Sequence, residues 1–442
     1  MNSKNLLATR NGRFTTFGLL YVSEGIPYGF TSVAMVAFMR QHGVSLDLIG
    51  TFVAALFMPW AFKWAWAPLV DLIKLHRWGG RRAWIIACNA MMIVTLLITG
   101  SIDVQQNFTL LLIMVTLHNF FCATQDVAID SLAVSTLEAD ERGRGNGFMF
   151  AGQYFGIMLG GGGAVFVNGL FGFDAALAYI CALLLLNLSF VLLFVRDPFA
   201  QRNATRAANF TRTLVTSLIK FVKEVYASFW LSGRGPIIGV AFSLLPAGAM
   251  ALAYATLATI QVDYGLDDNQ IAKLQTLNTL AAATGCIVGG MFGDRFGAKR
   301  AIAIAFALTA SVSFALATQI SEVGLVAVAP SFFYGIIIAH GFFFGMAYGA
   351  RNAIFMSMTN PAVAATQFTA FMGMSNLAIS FGNYWQGIVA ERMGYAQVLY
   401  LDAGIALLVI CLIPFLRARE GSSGRTDSTA ESALPAPVPV AD

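Results

Sequence analysis

Apolar stretches of about 20 residues or more recur twelve times along this chain, each long enough to cross ~30 Å of hydrocarbon at 1.5 Å per residue. In lipid a segment must satisfy its own backbone donors and acceptors, so runs of this kind have to be helical. Composition agrees: of 442 residues 57% are hydrophobic and 11% charged, with a mean hydropathy of +0.70. A soluble domain has no use for so much apolar surface. The expected class is an all-α integral membrane protein with spans at 14–39, 48–70, 83–100, 108–130, 144–168, 174–195, 236–262, 267–292, 300–318, 324–350, 363–388 and 397–416. Residues 1–13 show no apolar core followed by a small-residue cleavage site, so the first span is read as an uncleaved anchor.

The twelve spans divide into two sets of six. His118-Asn-Phe120-Phe121 and His340-Gly-Phe342-Phe343 lie 222 residues apart, Gly160 and Gly382 share that offset, and Asp71 and Asp294 differ by 223. One six-helix unit has been used twice, giving pseudo-symmetric bundles over 14–195 and 236–416. Parallel repeats of this kind build transporters whose solute site lies between the halves. Lysine and arginine bias sets the orientation. With both termini in the cytoplasm, 23 of the 27 basic residues fall inside. Arg40, Lys273 and Arg392 lie at outer ends, and Lys63 lies within a span. The basic linker 196–235 contains a stretch, 210–230, whose apolar and basic positions alternate at helical spacing, which suits a helix lying on the inner leaflet. The tail 417–442 is rich in Ser, Ala and Pro and is expected to be disordered. The five cysteines fall in five different spans without a C-x-x-C pair, so neither a disulfide framework nor a metal site is indicated.

An ionised side chain at mid-bilayer costs ~2.5–3.5 kcal/mol on insertion scales, so it should face the interior and find a partner. Glu24 lies near the middle of the first span and Lys63 in the inner third of the second. Asp126 and Asp130 share one face of the fourth at i and i+4, beside Gln125. His118 lies two turns further out, His340 at its repeat position, and Arg351 at the inner end of the tenth span. Lys63 and Asp126 match in depth and oppose in charge, so an ion pair is expected. The acids are candidates for carrying a proton; the plainer alternatives are a structural ion pair, a neutral glutamate in helix packing, and histidines packed on neighbouring phenylalanines. Lys63 and Arg351 are candidates for meeting an anionic solute, with Phe30, Trp60, Trp64 and Tyr154 as packing surfaces.

Two sets of motifs carry a family resemblance. Gly290-Met-Phe-Gly-Asp294-Arg295-Phe-Gly297-Ala-Lys299-Arg300 resembles the signature loop of the major facilitator superfamily. Its first-half copy is degraded, with Ala67 in place of glycine and eight residues between Asp71 and Gly80-Arg81-Arg82. Pro59-Trp-Ala-Phe-Lys63-Trp-Ala-Trp66-Ala-Pro68-Leu-Val-Asp71, Gln125-Asp126-Val-Ala-Ile-Asp130 and Glu141-Arg142-Gly143 are similar to strings of the peptide/acetyl-CoA transporter family. Ala365-Thr366-Gln367-Phe368 is similar to an element of its AmpG-type muropeptide permeases. The resemblance implies gating roles for Asp71, Arg81, Arg82, Glu141, Arg142, Asp294, Arg295, Lys299 and Arg300, whose ion pairs would form in one conformation and break in another; setting topology is the simpler role for the cations.

What the resemblance implies is a proton-coupled, alternating-access importer of a bulky amphipathic solute across the bacterial inner membrane, with an anhydro-muropeptide first. Such uptake serves cell-wall recycling and feeds β-lactamase induction. A siderophore permease of the same family is the alternative, since Asp130-Ser-Leu-Ala-Val also fits that branch. The acetyl-CoA branch would need a more cationic cavity than Lys63 and Arg351 provide. A membrane-embedded acyltransferase is disfavoured: His118 and Asp126 stand about 12 Å apart along the helix and no nucleophile motif accompanies them. The chain has no G-x-x-x-x-G-K-[ST] segment for ATP. The expectation is a monomeric permease, not an enzyme, without cofactor or metal, whose partners are its solute, protons and lipid rather than nucleic acid.

Overall fold

The computed structural model describes residues 5–67, 70, 79–103, 106–138, 141–197, 234–245, 251–358 and 364–415, with eight further positions between 215 and 227. Twelve helical passes account for nearly all of them. In chain order these are α1 (Arg10–Gly29, a π turn Phe30–Ala34, then Met35–Gln41), α2 (Leu46–Phe62), α3 (Arg81–Gly100) and α4 (Phe108–Thr136). Next come α5 (Arg142–Met158, a π turn Leu159–Gly163, then Ala164–Phe171), α6 (Phe173–Phe194) and α7 in two pieces, α7a (Arg234–Leu244) and α7b (Ala255–Asp263). The last are α8 (Asp268–Phe296), α9 (Ala298–Val323), α10 (Pro330–Met358), α11 (Ala364–Met393) and α12 (Tyr395–Leu412).

Helix starts carry the repeat: α8, α10, α11 and α12 each begin 222 residues after α2, α4, α5 and α6. Turn glycines do the same. Gly43 and Gly265 (φ 76° and 96°), and Gly172 and Gly394 (φ 84° and 87°), occupy left-handed backbone at equivalent corners, which a β-carbon would strain.

Nine helices among the described residues are long and apolar enough to cross a membrane. The passes outside that set, α1, α7 and α11, are richer in polar groups buried in the protein, such as Thr16, Ser23 and Glu24 in α1 and Ser375, Asn383 and Gln386 in α11. They face the interior more than lipid, so their hydropathy falls. One expected span is not continuous: α7 is interrupted by a 3-10 turn at Ala251–Ala253, with Leu252 outside helical geometry. Pro246 and Gly248 just before it are unfavourable to a helix. Asp402 of α12 accepts from Ala251 N at 2.9 Å and Asn383 of α11 accepts from Ala255 N at 3.1 Å, replacing the lost backbone bonds.

Helices within and between the halves meet over small residues, which lets backbones touch. A β-carbon on Gly160 would run into the Ile26 carbonyl of α1, and one on Gly345 of α10 into the Ala282 carbonyl of α8. Of the linker, the described residues are Arg196 and Asp197 after α6, Arg234 and Gly235 opening α7a, and Val215, Thr216, Ile219, Lys220, Val222, Lys223, Tyr226 and Ala227; the last eight are helical, with Val215, Ile219, Val222 and Tyr226 exposed. The rest of the expected linker helix and the tail lie outside the described residues.

Among the described residues, the core that the two halves share lies toward one end, and α2 and α11 stay in contact as far as Trp60 and Asn376. Phe52, Val53 and Phe57 of α2 pack in one cluster with Tyr254 and Ala258 of the second half, Ile271 of α8 and Ile379 of α11. Toward the other end the clusters separate, one holding Phe14, Phe17, Ile129 and Leu132 and the other Phe306, Ile354, Phe355 and Phe371. The shared end carries the 42–45 and 264–267 turns and is called the closed end below; the opposite end, which carries Arg10, Arg13, Arg81 and Arg82, is the basic end.

Candidate functional site

The first half holds a knot of acids. Lys63, where α2 gives way to a 3-10 turn, is ion-paired through Nζ to Asp126 Oδ2 of α4, with side-chain exposures of 21% and 5%. The ammonium also lies 5.2 Å from the Trp60 ring. One turn along α4, Asp130 accepts from the Tyr21 hydroxyl at 2.6 Å. Glu24 is 4% exposed and accepts from Gln153 Nε2 of α5 at 2.9 Å, while its Oε2 has no partner among the described residues. Glu24, Lys63, Asp126 and Asp130 are close enough to act on one another electrostatically. So three carboxylates share one ammonium, and the i, i+4 pair in α4 points its acids at different partners, α2 for Asp126 and α1 for Asp130.

Other expected members sit elsewhere. His118 is held in helix packing: its Nδ1 donates to Met92 O at 3.2 Å and lies 2.9 Å from Thr95 Oγ1, and its Nε2 lies 3.5 Å from Cys122 Sγ. His340 is buried and stacks with Phe344 at 6.4 Å. Gln125 donates to Ile85 O of α3 at 3.4 Å and faces away from the acids. Phe30, expected as a packing surface for solute, is 1% exposed and stacked on Phe173, so no solute reaches it. Trp60 bonds Asn119 Oδ1 at 3.3 Å.

Arg351 of α10 is 4% exposed. Its guanidinium lies 4.7 Å from the Tyr348 ring and 5.8 Å from Phe355, and its Nε has no hydrogen-bond partner among the described residues. By the repeat, Tyr348 stands where the first half has Asp126 and Gly285 where it has Lys63. The halves are therefore chemically unlike at the same depth.

At the basic end, Arg81 binds Ser131 at 2.6 Å and Ser135 at 3.3 Å, and Arg82 donates to the Leu192 carbonyl at 2.7 Å, all within the first half. Glu141 is clamped by Arg13, whose Nε is 2.8 Å from Oε2, with Arg10 at 3.7 Å. Those Arg13 hydrogen bonds hold its carboxyl below the usual range. In the second loop Arg295 lies over Phe296 at 5.5 Å, with Lys299 and Arg300 opening α9. Asp71 and the side chains of Arg142 and Asp294 lie outside the described residues.

At the closed end polar contacts cross between halves. Arg40 of α1 grips Asp263 of α7b with both nitrogens at 2.7 Å, and Tyr395 donates to the same carboxylate at 2.7 Å. Asp268 accepts from Gln41 at 2.6 Å and Asn168 at 2.7 Å. Glu391 of α11 accepts from Leu46 N at 2.7 Å, the open amide at the start of α2. Two like bundles are thus sealed at one end over a charged interior. The family model described as Major Facilitator Superfamily matches residues 17–247 and 237–441. The chain belongs to that superfamily.

Membership in the Major Facilitator Superfamily makes it a multi-pass membrane transporter, a permease and not an enzyme. It is 23% identical over 438 residues to the anhydromuropeptide permease of Escherichia coli (strain K12), covering 96% of this chain and 85% of that protein. In structure it is similar to the nucleoside transporter NupG (TM-score 0.69, 15% identity, 91% of this chain and 98% of that one). It is also similar to the inward-open xylose transporter XylE from E. coli (TM-score 0.69, 15% identity, 94% and 98%). These two similarities show the major facilitator fold.

Sequence reasoning passed over Asp402, although it is an acid in mid-span and so carries its own signal. Tyr21 and Gln153, the partners of the buried acids, gave none. Neither did Tyr254, placed by the α7 break.

Proposed function

We propose that this permease couples inward movement of an anhydro-muropeptide to protons, with its basic end and both termini in the cytoplasm. The observation that carries the coupling is the inequality in the first half: three carboxylates, two of them buried and Asp130 half-buried, around one ammonium. Lys63 balances Asp126. Among the described residues Glu24 and Asp130 have only neutral hydrogen-bond donors, so either gains from taking up a proton in a water-poor interior. Two such acids also suit an anionic solute. One proton falling through ~150 mV supplies ~3.5 kcal/mol, but a single negative charge moving with it cancels that term. A second proton restores it, enough for a few hundredfold accumulation. The solute is drawn from the similarity to the E. coli permease, and the orientation from the lysine and arginine bias.

Right-side-out vesicles given labelled anhydro-muropeptide and, in parallel, labelled ferric siderophore test the reading. Muropeptide should accumulate and a protonophore should collapse the gradient. Accumulation unaffected by the protonophore removes the coupling; accumulation of siderophore alone replaces the solute.

A further inference from the structure

The two interior cations are not equivalent. Lys63 is committed to Asp126 and lies in the field of Glu24 and Asp130, so a solute anion approaching it meets three acids as well. Arg351 has no carboxylate within ion-pair distance among the described residues, and it is as buried as Asp126. A buried guanidinium without an anion is costly. A site that binds an anion in every cycle offsets that cost.

What surrounds Arg351 points the same way. Tyr348 lies under the guanidinium, and the charge of Arg351 reaches Tyr154 of α5 and Tyr254 at the start of α7b. Tyr28 of α1 is within electrostatic reach of Tyr154, Tyr254 and Tyr348. Rings link these positions across the halves: Phe344 meets Tyr348 at 6.4 Å and Tyr254 at 6.0 Å, and Phe57 meets Tyr254 at 5.3 Å and Tyr28 at 6.0 Å. Three tyrosines from both halves therefore gather about one cation, and Tyr28 of α1 extends the group through Phe57. Tyr28, Tyr154 and Tyr348 stay part-exposed at mid-helix positions.

We propose that Arg351 is the anion anchor of the solute site, that Tyr28, Tyr154, Tyr254 and Tyr348 form its wall, and that the solute is a carboxylate bearing a sugar or ring face. The guanidinium presents paired donors to a carboxylate, and phenol rings offer flat apolar faces with hydroxyls at the rim. The division of labour follows: the first half carries the proton, and the second selects the solute. The inference rests on the transport reading but not on its muropeptide.

Equilibrium binding to the purified protein in nanodiscs separates the two. Four probes are used: anhydro-muropeptide, the same compound with its carboxylates amidated, a carboxylate siderophore and a neutral hydroxamate siderophore. The wild type should favour the acid over the neutral member of whichever scaffold binds, by about 10- to 100-fold. Arg351→Gln should erase that preference, Arg351→Lys should keep part of it, and Tyr254→Phe should weaken acid and neutral probes alike. Equal binding of acid and neutral probes by the wild type overturns the proposal without needing any variant to fold. So does an acid preference that survives in Arg351→Gln, or no binding of any probe. Discrimination confined to the siderophores keeps the anchor and removes the muropeptide.

Discussion

Lys63 and Asp126 form an unequal pair, and the inequality can be measured. Asp126 is 5% exposed in its side chain and Lys63 21%. Removing the lysine strands a carboxylate where water does not reach, a loss of about 3 kcal/mol or more. Removing the charge of the aspartate leaves an ammonium on a flexible stem that can lean toward water and the Trp60 face, which costs less. Lys63→Ala should therefore lower the thermal unfolding midpoint in micelles more than Asp126→Asn does, and the double variant should recover most of the lysine loss. Equal single effects that simply add in the double would mean the two side chains do not act as a pair. Both variants should also lose protonophore-sensitive accumulation.

At the scale of the helix, α7 is the informative element. Its carbonyls and amides around Ala251 and Ala255 would be orphaned in a low-dielectric interior, and Asp402 and Asn383 supply acceptors for two of the amides. The second contact of Asp402 is weaker, Ser313 Oγ at 3.4 Å. Asp402→Ala leaves the Ala251 amide unsatisfied and should cost about 1–3 kcal/mol, read as a lower unfolding midpoint. Asp402→Asn keeps an acceptor oxygen and should lose little. If Asn fares as badly as Ala, charge and not capping is what the position needs. This break also marks where sequence reasoning stopped. Helix positions were legible because lipid forces apolar runs, and the shared offset of His118 with His340 and Gly160 with Gly382 fixed the register. The Lys63–Asp126 pair was legible because two opposite charges at one depth have few other solutions. The break was not, because its partners are backbone amides, which no side-chain pattern announces, and because Pro246 and Gly248 sit inside a run that remains apolar. The tyrosine wall was hidden for a different reason: aromatic residues in a bundle mostly face lipid or one another, so four that form one group look like any other four. Phe30 was misjudged on the same ground, since the sequence does not distinguish a ring facing the interior from one sealed against Phe173.

At the scale of the whole molecule, the sealed end is where the contacts between the halves can be weighed. Hydrophobic contact between the halves supplies area without direction, whereas Arg40 with Asp263, and Asp268 with Gln41 and Asn168, form only when the ends are in register. These contacts act as a latch on the closed end. Arg40 and Asp263 are 23% and 22% exposed in their side chains, so solvent screens the pair and its worth is nearer 1 kcal/mol than 3. Such an increment moves a two-state equilibrium about fivefold. Asp263→Ala removes the acceptor of both Arg40 and Tyr395 and should shift the population by that factor toward a form open at this end. Spin labels at Asn107 and Glu322, exposed positions on opposite halves near the closed end, report it. Their distance distribution should gain a longer component in the variant on a cysteine-free background. Solute binding at the Arg351 site need not weaken, because that site lies away from the latch. A distribution that stays single and unchanged would mean the apolar contacts of Phe52, Val53 and Phe57 hold the end shut alone. The latch would then contribute register between the halves and nothing to the balance between states.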